Sequence, residues 1–147
     1  MAKTKFIVNV EGCLIHNDKI LMILRGDAES HAPNTLAFPG GQVESEDSDT
    51  DTLEGTIRRE IYEEVGLKIT GDFEYLESKK FISERGNSII DIVMFCRIDD
   101  VADTVIDRNE VKECRWMNIE EILNDPRTPV WIRKSVKLIE SKISQQE

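Results

Sequence analysis

The residue pattern predicts an α+β protein, an α/β/α sandwich built around a mixed β-sheet. Short runs of apolar and β-branched residues recur along the chain, separated by turn-forming residues. One amphipathic helix sits at the middle of the sequence and another closes it. The length, 147 residues, suits one domain with its own core, so residues 1–147 are expected to form a single unit.

The elements follow in order. Residues 6–15 and 19–24 read as two strands joined by the turn His16-Asn17-Asp18. Arg25 closes the second strand before a polar loop over residues 26–35, in which His31 reads as a surface residue because no second His or Cys is spaced to share a metal. Leu36-Ala37-Phe38 is a short strand, and Pro39 fixes the turn into Gly40-Gly41. A helix runs over residues 52–65, with Thr52 as N-cap and Gly66 as the stop. Residues 67–70, 73–82 and 88–98 read as strands, the last two joined by a hairpin loop over 83–87. Residues 99–109 are acidic and irregular, a place for a site-covering loop. A further strand over 111–117 leads to a short helix over 119–123 introduced by Asn118, and Pro129 opens the last helix. Trp131 in that helix reads as core or interface packing, with stacking on a base as the other use of its face.

The central helix carries the chemistry. At about 100° per residue, Leu53, Ile57, Ile61 and Val65 form an apolar stripe, and Glu60, Glu63 and Glu64 fall in a narrow arc beside it. Like charges at this spacing repel. A hard divalent cation reverses that sign, because it prefers carboxylate oxygens and keeps positions open for water and phosphate. The plain alternative is a solvated acidic face. The glycine pair at Gly40-Gly41 favours the first reading, since glycine admits positive φ and close approach of the backbone to a ligand.

At these residues the chain resembles the Nudix hydrolases, whose box reads Gly, five residues, Glu, seven residues, Arg-Glu-apolar-x-Glu-Glu-x-Gly-apolar. Gly41, Arg59, Glu60, Ile61, Glu63, Glu64, Gly66 and Leu67 match it. The interval from Gly41 to Arg59 is four residues longer than the pattern, and no Glu stands eight before the Arg. Counting back from Arg59 gives Asp51, and counting forward from Gly41 gives Asp47. The helix-start reading favours Asp51 as the partner that orients Arg59. Asp47, Asp49 and Asp51 also have calcium-loop spacing, but Thr52 and Arg58 stand where such a loop needs Gly and Glu.

The resemblance implies hydrolysis of a diphosphate linkage in a nucleoside diphosphate derivative, with Mg²⁺ or Mn²⁺ as cofactor. It implies Glu60, Glu63, Glu64 and the Gly41 carbonyl as metal ligands, Glu63 or else Glu110 as base, Arg59 as the residue orienting the glutamates, and Arg25 facing the substrate. Glu113 ranks behind Glu110. Asp51, Gly40 and Gly66 are expected in support. The competing reading is a nucleotide-binding regulatory domain that has lost turnover, and a third is an acidic interaction module.

A net charge of −10 argues against a nucleic-acid polymer as partner, while a small nucleotide remains compatible where metal supplies positive charge. No stretch is long and apolar enough to span a bilayer, and the N-terminus has no secretory pattern. Cys13, Cys96 and Cys114, an odd number widely spaced, read as free thiols of a cytoplasmic protein. Many Nudix relatives are homodimers, and the sequence leaves the oligomeric state open.

Overall fold

The computed structural model describes residues 2–26, 32–99 and 111–145. In chain order the elements are β1 (Phe6–His16), β2 (Lys19–Arg25), β3 (Leu36–Ala37), β4 (Gly40–Gln42), α1 (Thr52–Val65), β5 (Glu74–Ile82), β6 (Ser88–Arg97), β7 (Val111–Asn118), α2 (Ile119–Asn124) and α3 (Val130–Gln145).

The strands form one mixed sheet with the path β3-β2-β1-β6-β5, to which β7 is added through β2 and β4 through β1. The β1–β6 ladder is parallel, from Phe6 opposite Ser88 to Ile15 opposite Arg97, and the other ladders are antiparallel. The second edge of β1 is divided. Asn9 to Glu11 pair with β4, whereas Ile15 and His16 pair with β2. Asn17 and Asp18 both take left-handed φ, 47° and 64°, which matches the twist of the flanking strands.

Alternation along the strands sends one set of side chains to each face. Val10, Leu14, Leu21 and Met94 meet Ile57, Ile61 and Val65 of α1. Cys13, Ile15, Val93 and Phe95 meet Ile122 of α2 and Ile132, Val136 and Ile139 of α3. Full burial of each such aliphatic side chain contributes about 1.5–3 kcal/mol, so α1 is clamped to the sheet through the stripe read from sequence. Gly66 ends α1 in the left-handed region, φ 75°, its N–H donating to Tyr62 O. On the other face Asn118 caps α2 by a reciprocal pair of bonds with Glu121. The Arg133 guanidinium then closes the α2–α3 corner by donating to the carbonyls of Leu123, Asp125 and Thr128.

Two expectations differ from the structure. Residues 67–70 alternate in burial, with Leu67 and Ile69 buried and Lys68 and Thr70 exposed, but they join no ladder. Their alternation comes from packing against the α1 core rather than from a neighbouring strand. Conversely, the Gly40-Gly41 turn expected from sequence is part of a strand, Gly40–Gln42, because its pairing is supplied by β1 and not by its own propensity. Cys13 and Cys96 are buried and Cys114 is half-buried, all three as free thiols. No helix among the described residues is long and apolar enough to cross a membrane.

Candidate active site

The site grows from the contact between β4 and α1. The Gly40 N–H donates to Glu64 Oε1 at 2.8 Å, which compensates a carboxylate only 6% exposed. A Cβ on Gly40 would stand 2.1 Å from Val10 O, and one on Gly41 would stand 2.3 Å from Glu60 Cδ. Gly40 therefore requires glycine because backbone stands in the way, whereas a side chain at Gly41 would displace the Glu60 carboxylate. The sequence reading offered positive φ as well, yet among the described residues the positive-φ glycines are Gly66 and Gly86. Strand pairing with β1 holds the turn in extended backbone, and the missing side chains make room for the two glutamates.

Arg59 is the hub of the acidic face. Its Nε and Nη2 donate to Asp47 Oδ1 and Oδ2 at 2.7 and 3.0 Å, a bidentate pair. Its Nη1 donates to Glu60 Oε1 at 2.8 Å and stands 3.3 Å from Glu63 Oε2, and Nη2 also reaches Gln42 O at 3.1 Å. Asp47 is itself anchored by the Glu44 N–H at 2.7 Å and the Thr56 hydroxyl at 2.9 Å. The Arg59 hydrogen bonds, followed by the Glu44 N–H, hold the Asp47 carboxyl well below the usual carboxylate range, and Asp47 raises Arg59 in return.

The partner of Arg59 is thus Asp47, and the expectation for Asp51 is corrected. The additional residues fold a tight turn, closed by Asp47 N–H to Glu44 O at 3.0 Å, that carries Asp47 beneath α1 between Arg59 and Thr56. Asp51 is the N-cap residue in place of Thr52, exposed, in the left-handed region with φ 47°, and its side chain makes no capping bond. Thr52 instead donates its hydroxyl to Ser48 O. The signal was the forward count from Gly41: the insertion lies after the carboxylate, not before it.

Of the remaining sequence candidates, Glu63 lies on the exposed side of Arg59, with its side chain 54% accessible. Arg25, at the end of β2, lines two adjoining cavities on the sheet, of about 350 and 320 Å³. Glu113, on β7, pairs instead with Arg115 and Arg127 at 3.6 and 3.8 Å. Glu110, His31 and most of the expected covering loop lie outside the described residues.

The sequence reading missed the floor of the larger cavity. Asn9 and Glu11 of β1, Asp91 of β6 and Lys79 of β5 lie there, with Phe81 and Trp131 among the walls. Asn9 donates to Asp91 Oδ1 at 2.6 Å, and Lys79 Nζ stands 3.4 Å from Asp91 Oδ2. Burial, and then the neighbouring Asp91 carboxyl, hold Glu11 well above the ordinary carboxylate range. The available signal was a carboxylate inside an apolar run, Val10-Glu11-Gly12 and Ile90-Asp91-Ile92.

The residues beside β4 suit a hard divalent cation by two criteria. Their donors are carboxylate oxygens, and the glycine turn leaves an open cradle against Glu60 that a Cβ would fill. Among the described residues no three His, Cys, Asp or Glu side chains already converge as a ligand set. The reason is visible in the geometry: Arg59 holds Glu60 and Glu63, and Gly40 holds Glu64.

The model of the NUDIX domain matches residues 7–139. No curated protein sequence matches the chain significantly. Among solved structures, the MutT protein from Methanosarcina mazei Go1 superposes with a TM-score of 0.79 at 21% identity, covering 97% of this chain and 98% of that one. The MutT NUDIX hydrolase from Burkholderia pseudomallei gives 0.74 at 18% identity, covering 92% and 98%. The NUDIX domain of Shewanella oneidensis NrtR, complexed with ADP ribose, gives 0.73 at 16% identity, covering 99% and 91%. At these identities the superpositions speak for the fold.

Proposed function

The chain belongs to the Nudix hydrolase family, and on that premise we propose that it is a Mg²⁺- or Mn²⁺-dependent pyrophosphohydrolase that cleaves a diphosphate linkage in a nucleoside diphosphate joined to another group. The observation that carries this reading is the clamp of Asp47, Arg59 and Glu60 set against the Gly40–Glu64 bond. It fixes two carboxylates of one helix, Glu60 and Glu64, beside a glycine turn with no side chain.

Glu60 and Glu64 are the principal ligands in this proposal, with Glu63 and the Gly41 carbonyl beside them. A bound divalent ion would neutralise phosphate charge and lower the pKa of its water. The chain's own groups supply the rest. Asp47 fixes the plane of the Arg59 guanidinium, and Arg59 fixes the Glu60 carboxylate, so the ligand is oriented before substrate arrives. Glu64, tied to the Gly40 N–H, sets the distance between helix and turn. Glu63, exposed to solvent, accepts a proton from the attacking water as its oxygen bonds to phosphorus and the anhydride P–O bond breaks. Glu110 is the second choice for that step. Arg25, at the end of β2, supplies charge to the phosphates.

The test is phosphate release from nucleoside triphosphates, ADP-ribose, nucleotide sugars and dinucleoside polyphosphates, with Mg²⁺ or Mn²⁺ and a coupling phosphatase. Turnover that Glu64→Gln abolishes, in a protein that melts like the wild type, supports the assignment. Nucleotide binding without turnover across the panel would replace it with the regulatory reading.

A further inference from the structure

Beyond β1 lies a second polar cluster that the hydrolytic groups do not use. The 350 Å³ cavity is floored by Asn9, Glu11, Asp91 and Lys79 and walled in part by Phe81 and Trp131. Its size is that of a small-ligand site. It shares Asn9, Arg25 and Phe81 with the adjoining 320 Å³ groove, and that groove is lined by Gln42, the residue after Gly41. One ligand lying along both would place its phosphates toward the glycine turn, past Arg25 and Arg85, and its ring over the acidic floor.

The floor is rich in acceptors. Asp91 is 2% exposed, its Oδ1 takes the Asn9 amide, and its Oδ2 accepts no hydrogen bond among the described residues. Lys79 Nζ stands 3.4 Å from that oxygen, the Glu11 and Asp91 carboxyls share a hydrogen bond, and Arg25 adds positive charge, so the floor is charge-compensated and its remaining acceptor positions are open to further hydrogen-bond donors. Burial and the adjacent Asp91 hold Glu11 above the usual carboxylate range. Two carboxyl groups sharing one proton still present more acceptor positions than donors.

We propose that Glu11 and Asp91 are the specificity-determining pair of the substrate site, and that the cavity above them takes a nucleobase bearing an exocyclic amino group whose hydrogens they accept. The inference rests on the hydrolase reading for the placement of the phosphates. Phe81 and Trp131 offer aromatic faces, which accept any base by stacking, so discrimination falls to the floor. An imide base sets two carbonyl oxygens beside its single N–H, and those oxygens would oppose the carboxyl oxygens. An amino group brings hydrogens to the same place.

Matched pairs test this: guanosine against inosine triphosphate, and adenosine against purine riboside triphosphate, compared by kcat/KM. The same bases as monophosphates, titrated calorimetrically without metal, give a readout independent of turnover. In at least one pair the wild type should favour the amino-bearing member about tenfold or more. Asp91→Asn, which turns an acceptor into a donor, and Glu11→Gln, which gives Asp91 a permanent N–H partner, should each bring that ratio within about threefold. Melting curves identify the variant that stays folded, and a merely structural role would leave the ratio unchanged. Equal values within both wild-type pairs overturn the proposal, as does a preference that survives in the folded variants or an absence of monophosphate binding. Hydrolysis without base preference would sink this proposal alone, and preferential binding without hydrolysis would sink the hydrolase reading alone.

Discussion

Replacing Asp47 by Asn isolates the clamp. Asp47 accepts four hydrogen bonds, from Arg59 Nε, Arg59 Nη2, the Glu44 N–H and the Thr56 hydroxyl, and its side chain is 6% exposed. Three of these donors converge on Oδ2, so an Asn would keep its carbonyl there and turn its NH₂ toward Arg59 Nε. The loss is one short charge-assisted bond together with a donor left facing a donor, about 2 kcal/mol. For a chain of this size that is a fall of about 4–8 °C in Tm. Asp51→Asn is the control: its side chain is exposed and caps nothing, and its cost should stay within about 0.5 kcal/mol. Metal-dependent turnover should fall by about tenfold or more in Asp47→Asn, as when a group behind a metal ligand is removed, and hold in Asp51→Asn. The sign of the pH dependence follows from the depressed Asp47 pKa. Its contribution is complete above the unfolded value of about 3.9 and is lost as the pH falls through the lower folded value. The gap between wild type and Asp47→Asn should therefore be flat from about pH 5 to 8 and narrow only below about 4. Melting curves across that range decide the matter. An Asp47→Asn protein melting within about 1 °C of wild type, or an equal loss in Asp51→Asn, would refute the reasoning.

Other substitutions separate space from chemistry. Gly41→Ala meets the end of a flexible Glu60 side chain, whereas Gly40→Ala meets the backbone of Val10. The first should keep its melting temperature and need at least about tenfold more metal for half-maximal turnover, and the second should lose several kcal/mol or fail to fold, as thermal scans and metal titrations would show. Arg133→Ala removes donors from three carbonyls at the α2–α3 corner. It should cost about 1.5–3 kcal/mol in urea unfolding with kcat unchanged, and a loss of activity without a loss of stability would contradict the purely structural role.

The parts legible in the sequence were those governed by short-range pattern. The stripe Leu53, Ile57, Ile61, Val65 and the stop at Gly66 gave α1 its limits, and Asn118 gave α2 its cap. Partnership at a distance was not legible. Nothing in residues 6–16 announces a parallel match to β6, or that the strand's other edge is shared between β4 and β2. Residues 67–70 carry strand alternation without a strand, since burial under a helix produces the same period. The helix-start pattern at residues 51–54 favours Asp51, and the turn from Glu44 to Asp47 overrides it. Glu11 and Asp91 are far apart in sequence and acquire their meaning only when β1 and β6 lie side by side.

The turn that delivers Asp47 also frees the chain behind it. Asp47 is fixed from its own side by Glu44 and from the helix by Arg59 and Thr56, while Ser48, Asp49 and Thr50 are exposed. The spacing between carboxylate and helix is therefore uncoupled from the spacing between carboxylate and arginine. Doubling a flexible loop costs only about 0.6 kcal/mol in closure entropy, so a short peptide tag or a fluorophore-bearing cysteine placed between Asp49 and Thr50 would sit beside the catalytic helix without loosening its clamp. That makes the exposed segment from Ser48 to Thr50 a ready attachment point for reporting on ligand binding from a few residues away.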